Sequence, residues 1–226
     1  MKVVFVHGSC VTDADWWWGR MAEPLARHGF TTTAVDLPSC GGGGDLHADA
    51  DAVRAVLDGE PAVLVGHSYG GMVITDAARG RRDVRHLVYV ASVMPDTGES
   101  LSALTGPPPP FLDPDGTTVG VHAAMLPPLF LQDCDQDTVD AALTHLTRQS
   151  LSALAQAPRG IAWHTTPSTY VACAKDRATL PERQRVFAER ADDVVEIPTG
   201  HHPFLSNPEL FAQVLASATK NVGPHP

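Results

Sequence analysis

The sequence of 226 residues is short of several things that would mark particular functions. Its four cysteines, Cys10, Cys40, Cys134 and Cys173, are scattered, with no CxxC pair and no His/Cys cluster at metal-ligand spacing. That argues against a disulfide framework and a structural zinc site. The expectation is four reduced thiols and no metal. Basic residues are few, 16 Lys and Arg against 26 Asp and Glu, a formal charge of −10. Phosphate backbones are bound by clustered Lys and Arg, so nucleic acid is not an expected partner; the acidic excess serves solubility. No apolar run reaches membrane-spanning length, so no membrane partner is expected. The opening MKVVFVHGS lacks the apolar core and cleavage site of a signal peptide. These features together predict a soluble cytoplasmic protein, with no oligomeric state assigned. The glycine run at 41–44 is followed by no P-loop lysine, and no G-x-G-x-x-G follows a strand. Nucleotide, flavin and NAD chemistry are therefore not expected, and no cofactor is assigned.

What is present is an alternation. Apolar, β-branched runs at 2–6, 31–35, 62–66, 86–91, 168–173 and 193–198 read as buried strands, nearly continuous in apolar character as in parallel sheets covered on both faces. Helical signals fall between them. Residues 16–28 lead to Gly29, residues 45–59 to Gly59, and 69–79 follow a glycine-flanked turn. Residues 180–191 begin at Pro181. Residues 207–220 open with Asn207 as N-cap and Pro208 at the first helical position. This predicts one α/β domain over 1–226, a mostly parallel six-stranded sheet flanked by helices. The beat lapses between about 95 and 165, where GPPPPF, DPDG and LPPLF occur. Too long for a loop, this stretch predicts an insertion of short helices capping one end of the sheet.

The strongest motif is VLVGHSYGG at 63–71, which contains G-x-S-x-G as Gly66-His67-Ser68-Tyr69-Gly70. The motif is short, but a strand-like run precedes it and a helix-compatible segment follows, the setting a nucleophile turn requires. Ser68 would occupy strained backbone at the carboxyl end of a strand, where open α/β sheets place ligands. A serine hydroxyl is a weak nucleophile and needs a base, a group to orient that base, and donors for an oxyanion. The donors expected are the backbone N–H of Tyr69 and that of Ser9, in HGSC after the first strand, with Gly8 allowing close approach. His7 is expected to brace that loop.

At this point VFVHGSC, VGHSYGG, YVACAKDRA and TGHHPFLSNPELF resemble the α/β-hydrolase superfamily. They resemble most its compact branch of carboxylesterases, plant methyl esterases and hydroxynitrile lyases. The resemblance runs from the first strand to the last helix and is weakest in the cap. It implies an α/β-hydrolase fold, no cofactor, and an acid on the loop after the penultimate strand. Asp176 stands there. Asp96, after the preceding strand, is the alternative, and Asp176 could instead belong to a solvated Lys175-Asp176-Arg177 cluster.

The base should follow the last strand, where His201 and His202 are adjacent. In the resembling family the catalytic histidine commonly stands seven residues before the proline of the final helix, which selects His201. Pro203 restricts His202 to extended geometry, and successive side chains there point apart. In the lyases a lysine follows the catalytic histidine and a threonine replaces the glycine after the first histidine of the oxyanion loop. Here those places hold His202 and Gly8, a pattern that favours hydrolysis.

Candidate pocket residues are Gly8, Phe111, Leu126, Leu129, Phe130, Trp163 and His202, with His122 and one tryptophan of the 16–18 run as further possibilities. The expectation is a serine carboxylesterase acting on a small, apolar ester through Ser68, Asp176 and His201. A lactonase, thioesterase or C–C hydrolase would use the same residues. A ligand-binding protein of this fold is the reading from another class. Epoxide hydrolases and dehalogenases expect aspartate where Ser68 stands.

Overall fold

The computed structural model describes residues 1–220. In chain order its strands are β1 (Lys2–Val6), β2 (Thr31–Val35), β3 (Ala62–His67), β4 (Val84–Val90), β5 (Leu112–Asp115), β6 (Thr118–Val121), β7 (Gln149–Ser150), β8 (Ser168–Cys173) and β9 (Asp193–Ile197). Six of them form one parallel sheet in the order β2-β1-β3-β4-β8-β9. The chain runs from β1 outward to β2 and returns to β3 on the other side of β1. That reversal opens a crevice beyond the carboxyl ends of β1 and β3, the usual ligand position in such sheets.

Strand alternation explains the two-sided core. On β1 and β3, Val4, Val6 and Leu64 join one buried cluster with Met72 and Ile74. Val3, Phe5, Val63 and Val65 join another with Trp17, Trp18, Phe204 and Phe211. Because both faces are covered, these strands read as unbroken apolar runs. The two edge strands differ from the expectation: β2 and β9 are partly exposed along most of their length.

Three other readings change in detail. The segment expected as one helix over 16–28 is two short helices, Ala14–Trp18 and Ala22–Ala26, joined by a 3₁₀ turn at Gly19–Met21. The helix expected over 45–59 is Leu46–Ala55, with Gly59 beyond it at φ +92°. Between β4 and β8 the chain forms short helices, Leu101–Thr105, Leu126–Phe130, Gln136–Thr144 and Leu151–Ala155, but also an antiparallel sheet β5-β6-β7 that was not expected. Its hairpin turns at Gly116-Thr117, where Gly116 adopts φ +57°. Bridges Val11↔Leu146 and Cys40↔Gln149 join this excursion to the loops after β1 and β2. Among the described residues no helix is long and apolar enough to cross a membrane.

Candidate active site

The turn after β3 carries Ser68 at φ +53°, a conformation costly for any residue with a Cβ. Two glycines make the turn possible. A Cβ on Gly66 would lie 2.6 Å from the Gly70 carbonyl oxygen, and one on Gly70 would lie 2.5 Å from that of Val6. Both clashes are with backbone, so neither position has an alternative. The Ser68 N–H donates to the Val90 carbonyl at 3.1 Å, and the Ser92 hydroxyl donates to the Ser68 carbonyl. The helix Gly70–Ala77 starts immediately beyond.

The loop after β1 lies over this turn. A Cβ on Gly8 would come 3.1 Å from Ser68 Cβ and 3.2 Å from His67 Nδ1, so glycine allows the close approach. His7 braces the loop: its Nδ1–H donates to Gly8 O at 2.8 Å, and its Nε2 accepts from the Leu37 N–H at 3.1 Å. Burial lowers its pKa and keeps the ring neutral. The N–H groups of Ser9 and Tyr69 make no hydrogen bond within the described residues. Both residues line the same cavity as Ser68.

Asp176 is buried, not part of a solvated charge cluster. Its Oδ1 accepts from the N–H groups of Ala178 and Thr179 at 2.8 and 3.0 Å. Its Oδ2 accepts from Gln184 Nε2 at 3.0 Å and from His201 Nδ1 at 2.7 Å. Four donors hold one carboxylate in place, as a buried charge requires. With Nδ1–H committed to Asp176, the His201 Nε2 carries the lone pair. The alternative acid, Asp96, is half-exposed, with its carboxylate 3.2 Å from His164 Nε2.

The adjacent histidines are thus sorted by their partners. His202 Nδ1 donates to the Phe130 carbonyl at 3.0 Å and has no link to Asp176. Burial, then the neighbouring His201, lowers its pKa to about 3. A third ring, His67, donates from Nε2 to the His201 carbonyl at 3.0 Å. Its pKa is also well below the usual value, chiefly through burial.

Ser68, His201 and His202 face a cavity of about 440 Å³. Gly8, Phe111, Leu126 and Phe130 line it as expected, together with Trp17 of the tryptophan run. Phe130 meets the His201 ring edge-on at 5.1 Å and Phe111 at 5.0 Å. Trp163 is a correction. It lies outside the lining because its Nε1–H donates to the Pro95 carbonyl at 2.8 Å, holding the indole against the core. Leu129 and the exposed His122 are also outside.

Several supporting residues were not foreseen. Asp49, fully buried on the helix Leu46–Ala55, accepts from Tyr69 Oη at 2.7 Å, Ser39 Oγ at 2.6 Å and Ser39 N at 2.8 Å. Gln149 Nε2 continues the chain to Ser39 Oγ at 3.0 Å. Gln132 Nε2 donates to the Lys175 carbonyl at 2.8 Å, and Asp133 Oδ2 accepts from the Gly200 N–H at 2.6 Å. One loop therefore clamps the segments carrying both Asp176 and His201. Among the described residues no group of His, Cys, Asp and Glu is arranged to hold a metal.

A six-stranded parallel sheet with a serine on the turn after its third strand, and an Asp–His pair on loops at the same end, defines the α/β-hydrolase fold. The chain belongs to the alpha/beta hydrolase family, whose sequence model matches residues 3–214. It is similar to alpha/beta hydrolase nvfD of Aspergillus novofumigatus, 28% identical over 84% of this chain and 85% of that one. It is also similar to polyneuridine aldehyde esterase of Rauvolfia serpentina, 27% identical over 94% and 93%. The latter likeness puts it in the branch that holds the plant methyl esterases. Among solved structures, a pyrethroid hydrolase from Sphingobium faniae JZ-2 superposes with a TM-score of 0.85 at 22% identity, covering 98% of each chain. The protein is thus of a hydrolase family whose members include named esterases.

Proposed function

We propose that the protein is a serine carboxylesterase that hydrolyses small, apolar carboxylic esters through an acyl-enzyme. The observation that carries this is the buried Asp176–His201 hydrogen bond, 2.7 Å, in one site with a serine at φ +53°. His201 Nε2 takes the Ser68 proton as Oγ bonds to the ester carbonyl carbon. The Ser9 and Tyr69 N–H groups hold the resulting oxyanion, each such donor supplying roughly 10²–10³ in rate. His201 then gives the proton to the leaving alkoxide as its C–O bond breaks. Water, deprotonated by the same imidazole, attacks the acyl-enzyme, and Ser68 leaves with the proton returned. Asp176 stays ionised and holds the ring in the working tautomer.

The excursion over residues 95–165 acts in this proposal as a cap. It supplies Leu101, Phe111, Leu126 and Phe130 to the cavity wall, which favours an apolar substrate. The esterase named in Rauvolfia agrees with the reaction type. A cytoplasmic setting, with the cysteines reduced, belongs to the same proposal. A panel of p-nitrophenyl esters of graded acyl length, beside lactone, thioester and diketone substrates, tests the bond cleaved. Preferential turnover of an ester is the expected result. Preference for one of the others would reassign the reaction within the same site, and tight ligand binding without any turnover would favour a binding protein.

A further inference from the structure

His202 takes no part in the proton transfers above, yet it is built into the cavity with care. Its ring is 5% exposed and lines the same space as Ser68. Stacking on Trp17 at 5.3 Å and the Nδ1–H bond to the Phe130 carbonyl fix the ring's orientation. That bond also fixes the tautomer, so Nε2 is the nitrogen with the lone pair. Nε2 makes no hydrogen bond among the described residues, and His202 lines the cavity. The ring stays neutral at pH 7 because it is buried. Its centre lies 5.0 Å from that of His201. A fixed acceptor therefore stands beside the base, in a cavity whose lining also includes Trp17, Leu126, Phe130 and Phe204.

We propose that His202 is a specificity-determining residue whose Nε2 accepts a hydrogen bond from a hydroxyl on the substrate close to the reacting carbonyl, so that the preferred substrates are hydroxy esters. The inference rests on the esterase reading and narrows it. An ester with hydrocarbon at that place would cover Nε2 without pairing it. A buried acceptor deprived of water and of a donor is costly, and sites built around one discriminate against ligands that lack the donor.

The test compares each enantiomer of methyl 3-phenyllactate with methyl 3-phenylpropanoate, which differ only by the hydroxyl. For the unaltered enzyme, kcat/KM should favour one hydroxy enantiomer over the plain ester by about tenfold, the size of one net hydrogen bond. His202→Phe should bring that ratio to about one, whatever the absolute rates. His202→Gln, which keeps both a donor and an acceptor, should restore part of it. A ratio near one in the unaltered enzyme, or one that survives His202→Phe, overturns the proposal. If neither ester is turned over and the p-nitrophenyl panel also gives no ester hydrolysis, the esterase reading fails on its own. Recognition is then measured as the affinity of Ser68→Ala for the same esters, with and without His202→Phe. Tighter, His202-dependent binding of the hydroxy ester supports the inference, and equal affinities sink it.

Discussion

Asp49 shows what single residues do beneath the site. It sits fully buried on a helix and receives three hydrogen bonds, one of them from the side chain of Tyr69, a residue that lines the cavity. Burial raises its pKa, and the hydroxyl and amide donors oppose that rise. Asp49→Ala removes the acceptor and leaves Tyr69 and Ser39 donors buried without partners. We expect a loss of about 2–4 kcal/mol in urea unfolding, with Asp49→Asn costing less. No measurable loss would mean the network is incidental. Asp49 had a legible signal: Leu46, Ala50 and Val53 form an apolar helical stripe, and Asp49 falls on it. Gln184 likewise falls on the buried face beside Phe187 and Ala188. In both cases the partner lies on another element, Tyr69 for Asp49 and the loop residue Asp176 for Gln184, and such a contact has no periodic pattern. Ser68 is the opposite case, because its turn is specified by glycines two residues to either side.

At the level of elements, the site is the meeting of loops at one end of the sheet. The turn after β3 is rigid because Gly66 and Gly70 each stand against backbone. Gly70→Ala would force a Cβ to within 2.5 Å of the Val6 carbonyl oxygen. The expected outcome is a loss of about 2 kcal/mol or more, with a fall in turnover greater than the stability loss explains. Thermal unfolding and kinetics on the same sample check this; an unchanged variant would show that the turn relaxes freely. The loops bearing Asp176 and His201 are held by Gln132 and Asp133. Asp133→Ala should lower kcat several-fold, since it frees the backbone beside His201 while leaving the cavity wall in place. Equal kcat would assign Asp133 to folding alone. The central strands of the main sheet were legible because burial on both faces leaves continuous apolar runs, whereas the edge strands β2 and β9 are partly exposed and read as strands through their β-branched residues. The antiparallel sheet β5-β6-β7 was less so: its strands are short and half-exposed, and β7 has only two residues. Its one clear signal was Gly116, which can take the positive φ that the first residue of a two-residue hairpin turn needs. Of the cap-region helices, Gln136–Thr144 falls in the stretch 135–150 that reads as helical from the sequence, whereas the other three have five residues each, too few for periodicity to register.

Across the whole molecule, several histidines are buried where protonation is disfavoured. Burial lowers the pKa of His7 and His67, and takes that of His202 to about 3. Unfolded, each titrates near 6.5. Below that pH the unfolded chain binds protons that the folded chain refuses, so stability rises with pH and falls on acidification. The contribution is complete above about pH 6.5 and is lost as pH drops toward the folded values, for His202 at up to about 1.4 kcal/mol per pH unit. Urea midpoints should therefore decline steadily from pH 7 to pH 5, and less steeply in His202→Phe. A midpoint that is flat over that window contradicts the burial of neutral imidazoles.

The central claim is that Ser68 is the nucleophile, and covalent chemistry tests it most directly. A fluorophosphonate probe followed by intact-mass and peptide measurement should give a single adduct on Ser68. Ser68→Ala should show none and should lose ester turnover by about 10³-fold or more. Ester turnover that persists in a folded Ser68→Ala, or an adduct on another residue, would contradict the account.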